Sequence, residues 1–162
     1  MLPEAIQDKP VAAAIEERYA GAIIDGKFAL AELTLWIDPA AIAGVCGFLK
    51  HELEFVRLSA VTAVDWYPME PRFEVVYQLH SIARNERLRL KCRVGGEVPQ
   101  IDSVTGVWEG ADWYEREVFD LFGIQFRNHP NLRRIMMPEY WEGYPLRKDF
   151  PVHGHKYTYQ DE

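Results

Sequence analysis

Residues 73–94 read FEVVYQLHSIARNERLRLKCRV: two runs of sheet-forming residues on either side of a short basic turn. The runs 73–81 and 88–94 carry the Val, Leu, Phe and Tyr that suit a pleated surface, and 83–87 turns between them. Cys92 alternates with Lys91 and Arg93, which aims the cysteine at a core. Gly95-Gly96 closes the second run as an ordinary turn. A third strand is expected just upstream, over 55–66. Working back to the start, Pro10 opens a helix reaching Tyr19, with Ala13, Ala14 and Arg18 at helical spacing and Gly21 ending it. Residues 22–28 form a short strand with Asp25-Gly26 as a turn signal. Residues 29–37 form another, placing Leu30, Glu32, Thr34 and Trp36 on one face and Ala31, Leu33, Leu35 and Ile37 on the other. Asp38 caps, and Pro39 starts, a helix running to Glu52, in which Cys46 beside Val45 and Phe48 reads as a small buried hydrophobe. Helix, two strands, helix, three strands, helix and tail make an α+β fold. The expected form is a two-layer sandwich, one mixed sheet of about five strands with helices, followed by an extended C-terminal arm.

Composition narrows the chemistry. The chain has 162 residues, 48% of them apolar, which fits one domain with a sizeable core. Its net charge of −7 excludes a global basic footprint for nucleic acid or anionic lipid. The longest uncharged run in the first third is 39–49, eleven residues, where a membrane span needs about 20. The opening MLPEAIQDKP has an acid at position 4 and no basic lead-in, so no secretory signal is expected and a soluble cytoplasmic domain is. Two cysteines exclude a disulfide scaffold, a four-Cys zinc site and an all-protein iron–sulfur site. The GxGxxG, GxxxxGK[ST], GxSxG and HExxH signatures do not occur. His153 and His155 form an HxH pair without a third ligand nearby, and read as tail residues rather than a metal site.

The charge divides unevenly. Residues 1–126 hold 20 acids against 12 bases, net −8, and residues 127–162 hold 5 against 6, net +1. Pro130, Pro138, Pro145 and Pro151 interrupt that last stretch, yet Ile135, Met136, Met137, Tyr140, Trp141, Tyr144, Leu146 and Phe150 fill it. Proline at that density forbids a long helix or central strand, while disordered tails lack such apolar residues. The expectation is an α+β domain over 1–125 and a partner-binding arm over 126–162, extending away from the body. Truncation after Ile124 would then leave a folded domain.

Residues 110–123 read GADWYEREVFDLFG. Asp112 with Glu115 three residues on makes a capping box, and Gly123 ends the helix. Ala111, Tyr114, Val118, Leu121 and Phe122 gather on one face. Opposite lie Asp112, Arg116 and Asp120, an acid–base–acid ladder in which Arg116 pairs with its neighbours. Trp113 and Phe119 flank the ladder, which leaves two readings open: a solvated ion-pair row, or a second contact face. Glu115, Glu117 and Asp120 read as structural rather than catalytic carboxylates, since nothing marks a raised-pKa acid beside an ionised base.

The order Glu115-Arg116-Glu117, Asp120, Leu121-Phe122, His129, Arg133, Ile135-Met136 resembles the signature of one family. It is that of the 30-kDa (C-type) subunit of the proton-translocating NADH:quinone oxidoreductase, respiratory complex I. The likeness continues through His129-Pro130-Asn131-Leu132-Arg133-Arg134-Ile135 and from Pro138 and Glu139 through Trp141, Gly143, Pro145, Leu146, Arg147, Lys148 and Asp149 to Pro151. It spans about forty residues; Tyr140 and Tyr144 stand where relatives vary. The resemblance implies a non-catalytic peripheral-arm subunit that binds no cofactor itself. NADH, FMN, iron–sulfur clusters and quinone would belong to the whole complex, which passes electrons to quinone and translocates protons. The implied partners are the large quinone-site subunit, of the 49-kDa type, and the small iron–sulfur subunit of the peripheral arm. The implied place is the cytoplasmic face of the bacterial inner membrane, in the free-standing form of the subunit. The motif residues, with Trp113, Phe122 and Gly123, are then interface residues. The alternatives are the equivalent subunit of a membrane-bound hydrogenase or photosynthetic-type NAD(P)H dehydrogenase, and a stand-alone enzyme using Glu115, Glu117 and His129.

Overall fold

The computed structural model describes residues 2–153. A 3-10 turn, Glu4–Ile6, precedes α1 (Pro10–Arg18), β1 (Ile23–Ala29) and β2 (Glu32–Ile37). A second 3-10 turn, Pro39–Ala41, leads into α2 (Ile42–His51), then β3 (Arg57–Asp65), β4 (Phe73–Ser81) and β5 (Glu86–Val94). The chain closes with β6 (Gln100–Asp102), α3 (Ala111–Phe122) and β7 (Gln125–Arg127). One mixed sheet runs β1-β2-β5-β4-β3, parallel only between β2 and β5, so the five-stranded α+β architecture read from the sequence is present.

Alternation explains the layers. Along β5, Leu88, Leu90, Cys92 and Val94 are buried while Arg89, Lys91 and Arg93 stay partly exposed, so one face meets the core. There Leu33, Leu35 and Ile37 of β2 and Val75, Tyr77 and Leu79 of β4 join Ile15 of α1 and Val45, Cys46 and Leu49 of α2 in one cluster. Burial raises the Cys46 and Cys92 thiols well above their usual range, which removes them as nucleophiles. Asp38 does cap, accepting from the Ala40 N–H at 2.9 Å, but the first turn after Pro39 is 3-10 and α2 proper begins at Ile42.

Three expectations change. The β1–β2 hairpin turns at Leu30-Ala31, both with positive φ (53° and 60°), not at Asp25-Gly26. Gly26 instead sits inside β1, where a Cβ would collide with the Ile6 side chain packed across it, so its smallness serves a close approach. Second, β7 pairs in parallel with β6 as a separate two-stranded sheet, so the 125/126 boundary falls within a strand and truncation after Ile124 would delete it. Strands of three residues give too few positions for alternation to register. Third, the arm does not extend away from the body. It turns at Asn128 (φ 64°) and lies back over α3, where the Leu146 N–H donates to Leu121 O at 3.0 Å. It ends by docking the Lys148 N–H on Asp65 at 2.8 Å. Proline removes N–H donors and regular registers, but several of the remaining arm donors, Ile135, Met136, Met137, Leu146 and Lys148 among them, reach acceptors on the domain.

Candidate partner interface

Two acidic side chains of α3 organise everything around it, and neither acts as the sequence suggested. The helix starts at Ala111 after Gly110 with no side-chain cap, so the Asp112–Glu115 capping box does not form. Glu115 turns inward instead. Its Oε1 accepts the Val104 N–H at 2.7 Å and its Oε2 accepts from Ser103 Oγ at 2.6 Å, with no solvent exposure. Burial pushes its carboxyl up to about 7, opposed by the Ser103 and Val104 bonds and reinforced by nearby Asp112. No local pattern marks this raised acid in the sequence, because desolvation depends on what the fold lays over a residue.

His129 begins the arm against this group. Its Nδ1 accepts the Asn131 N–H at 3.0 Å, which leaves the ring proton on Nε2, 3.3 Å from Asp112 O and 3.9 Å from Glu115 Oε2. The His129 and Glu115 side chains are fully buried, and Glu117 stands exposed apart from them. A substrate has no surface by which to reach the pair, so the cluster reads as a join between helix and arm. Its pH effect runs in one direction. Between about 4.5 and 7 the folded chain keeps a proton on Glu115 that the unfolded chain sheds, so stability falls as pH rises through that window. At about 1.4 kcal/mol per pH unit, the loss approaches about 3 kcal/mol by pH 8. Glu115→Gln retains the shape without the ionisation. Urea titrations should therefore find it close to the parent at pH 5 and more stable at pH 8, and equal pH slopes for the two chains would refute the assignment.

The ladder on the opposite side is not an ion-pair row. Arg116, 8% exposed, donates from Nε to Arg133 O at 3.1 Å and from Nη2 to Arg134 O at 3.3 Å, not to Asp112 or Asp120. Asp120, fully buried, accepts from Arg134 Nη1 at 2.6 Å and from three successive backbone N–H groups, Ile135 at 3.0 Å, Met136 at 2.7 Å and Met137 at 2.8 Å. Burial alone would raise that carboxyl, but the Met137 N–H, Arg134 and the other two amides hold it below its usual range. One carboxylate thus gathers donors that Pro-interrupted chain cannot satisfy within itself. Of the two open readings, the contact face is the one the structure adopts, and its first occupant is the chain's own arm.

Arg134 braces the arm further, donating Nη2 to Trp141 O and Gly143 O, each at 3.0 Å. Arg147 donates Nε to Phe122 O at 2.6 Å, satisfying a C-terminal carbonyl of α3, and its guanidinium lies 4.7 Å from the Tyr144 ring centre and 5.1 Å from that of Phe73. Gly123, at φ +78°, allows this approach. Asp65 receives Lys148 N, Tyr67 N and the Arg72 fork, and Arg72 also binds Asp149. Against the pull of burial, Arg72 first among these holds the Asp65 carboxyl at about 2.

The structure thus brings together Glu115, Arg116, Asp120, Phe122, Gly123, His129, Arg133, Arg134, Ile135, Trp141, Gly143, Leu146, Arg147, Lys148 and Asp149. Pro130, Pro138 and Pro145 space the arm, and Trp113 and Glu117 face outward. Ser103, Val104, Asp65, Arg72 and Tyr144 complete the assembly and carry no local sequence pattern. Among the side chains the clamp leaves outside are large apolar ones: Tyr140 is 79% exposed, Met136 64%, Trp113 61% and Leu146 52%. No group of three or more His, Cys, Asp or Glu among the described residues is arranged to hold a metal ion. His153 is exposed, and His155 lies outside the described residues. No described helix is long and apolar enough to cross a membrane.

Residues 35–156 match the family described as respiratory-chain NADH dehydrogenase, 30 Kd subunit. The chain is 47% identical over 140 residues to the NADH-quinone oxidoreductase C subunit of Geotalea uraniireducens, covering 86% of this chain and 85% of that one. It is 47% identical over 133 residues to the mitochondrial NADH-ubiquinone oxidoreductase 30.4 kDa subunit of Neurospora crassa, covering 81% and 47%. Among solved structures it resembles the trypsin-resistant fragment (1–134) of Nqo5 at 29% identity and TM-score 0.65, covering 75% of this chain and 98% of the fragment. A chain of the membrane-bound sulfane sulfur reductase, an archaeal respiratory membrane complex, is similar at 27% identity and TM-score 0.75, covering 88% and 84%.

Proposed function

The chain belongs to the family of the respiratory-chain NADH dehydrogenase 30 Kd subunit, and from that premise we propose that it is a non-catalytic peripheral-arm subunit of NADH:quinone oxidoreductase. Its work is to hold partners in register. The electron path from NADH through FMN and iron–sulfur centres to quinone, and the coupled proton translocation, lie in the rest of the complex. The partners proposed are the large quinone-site subunit and the small iron–sulfur subunit, met by residues 126–153 and the outer face of α3, on the cytoplasmic side of the bacterial inner membrane.

The observation that carries this reading is the clamp. Asp120 and Arg134 fix the arm's backbone inward, so Met136, Tyr140 and Leu146 are held outward in one conformation. Rigid exposed apolar side chains interleaved with arginine are the composition of an interface core. The Met136→Glu, Tyr140→Glu pair tests it. Both side chains already face water, so unfolding should shift by no more than about 0.5 kcal/mol each, while co-purification with the quinone-site subunit and quinone reductase activity should be lost. Full retention of both would remove the arm from the interface. A second reading, the equivalent subunit of a membrane-bound hydrogenase or photosynthetic-type NAD(P)H dehydrogenase complex, gains support from the likeness to a chain of another respiratory membrane complex, the sulfane sulfur reductase. The large subunit that co-purifies with the chain decides between them.

A further inference from the structure

The helices all pack on one face of the sheet, and the strand register shows what the other face carries. Directly opposed residues share a face. One rung runs Arg87–His80–Arg57, the next Lys27–Thr34–Arg89–Gln78–Ala60, the next Asp25–Trp36–Lys91–Val76–Thr62, and the last Arg93–Glu74–Val64. Glu32, two residues before Thr34, lies on the same face. Six of the chain's eighteen Lys and Arg residues therefore stand here with three of its twenty-five acids, net +3 in a chain of net −7.

The acids are engaged. Glu74, 1% exposed, accepts from Lys91 at 2.9 Å, Arg93 at 3.0 Å and Trp36 Nε1 at 3.1 Å. Glu32 binds Arg89 at 2.6 Å, and Asp25 accepts the Gly26 N–H at 2.7 Å. Lys27, Arg57 and Arg87 face no carboxylate among the described residues. Trp36 lies against Lys91 and Trp66 against Arg93, ring to cation at 5.1 and 4.9 Å. These long side chains lie flat enough to leave Thr34 and Val76 only 7% and 5% exposed without any helix above them. Arg89, Lys91 and Arg93 are already tied by these contacts, so a partner would meet less ordering cost there.

We infer that this open sheet face is a second docking surface, for an acidic face of a neighbouring protein subunit in the same complex. Excess cations framed by tryptophan suit a carboxylate-bearing protein surface. An anionic membrane is met instead by clusters of about four to eight unneutralised Lys and Arg, and here half the cations already share carboxylates. The inference rests on the reading that the chain is assembled into the complex.

The test compares the purified complex with the free chain. Oxidative footprinting should show Trp36 and Trp66 reactive in the free chain and protected in the complex. A zero-length carbodiimide, which joins amines to carboxylates, should link Lys27 or Lys91 to Asp or Glu of another subunit. The Arg57→Glu, Arg87→Glu pair, which breaks no ion pair, should leave the complex dissociating at lower salt. If Trp36 and Trp66 stay reactive while Met136 and Tyr140 become protected, the sheet face is bare and the inference fails alone. If all four stay reactive, the assembly reading fails with it. Protection of Trp36 and Trp66 in the free chain by phosphatidylserine vesicles, without amine–carboxylate links in the complex, overturns it in favour of a membrane.

Discussion

Asp120→Ala should release the arm from the body and cost about 3–5 kcal/mol, the scale for removing one partner of a buried charged group. The substitution deletes the acceptor for Arg134 Nη1 and for the amides of Ile135, Met136 and Met137 together. Arg134 is left 14% exposed without its carboxylate, and three donors turned inward have nothing to meet. Asp120→Asn, which keeps one acceptor oxygen, should cost less. Acid should mimic the substitution in part. The carboxyl is held below its usual range in the fold, so its contribution is complete above the ordinary value near 3.8 and disappears as pH falls through the folded one. Hydrogen exchange reads the result residue by residue. In the parent, amides over 135–137 should be protected as the body is; in Asp120→Ala they should exchange freely while β4 remains slow. If the arm amides stay protected in the variant, Asp120 is not what holds it.

That prediction reverses the sequence-based expectation of an arm extending away from the body, and the reversal comes from contacts distant in the chain. Local rules served where a signal is complete within a few residues: the alternation of Leu88, Leu90 and Cys92, the Asp38 cap, and the stop at Gly123. The contact face of α3 was half legible, because aromatic residues beside charges mark an unusual helix surface but do not say what covers it. The arrangement that matters is non-local. Asp120 meets residues 14 to 17 positions away and Asp65 meets Lys148, 83 positions away, and no periodicity reports such pairs. Asp112 and Glu115 show the same limit from the other side. Their spacing fits a capping box, yet Ser103 Oγ and the Val104 N–H offered Glu115 better partners inside. The buried join with His129 follows from that competition, and so does the raised carboxyl. The Leu30-Ala31 turn is a further case: neither residue favours positive φ, so the hairpin is set by the pairing of β1 with β2 rather than by turn chemistry.

Gly123→Val should cost about 4 kcal/mol, a loss on the scale of Asp120→Ala. Two costs combine. At φ +78° an L residue carries strain of about 1–2 kcal/mol, more when branched at Cβ. A Cβ built there would sit 2.6 Å from both Arg147 Nη2 and Tyr144 Cε2, and overpacking of that kind costs about 1–3 kcal/mol. Neither neighbour can yield cheaply, since Arg147 is tied to Phe122 O and stacked between Tyr144 and Phe73. Arg147 must therefore leave, and with it the satisfied end of α3 and the anchor next to Lys148 and Asp149. A double-mutant cycle with Tyr144→Ala separates the two costs. Removing the ring gives the new side chain room but leaves the backbone strain in place. Combined with Tyr144→Ala, Gly123→Val should then cost the strain and the displacement of Arg147, leaving a favourable coupling of up to about 1–3 kcal/mol, the part of the overpacking that the ring contributed. Strict additivity in the cycle would mean that Tyr144 never pressed on Gly123.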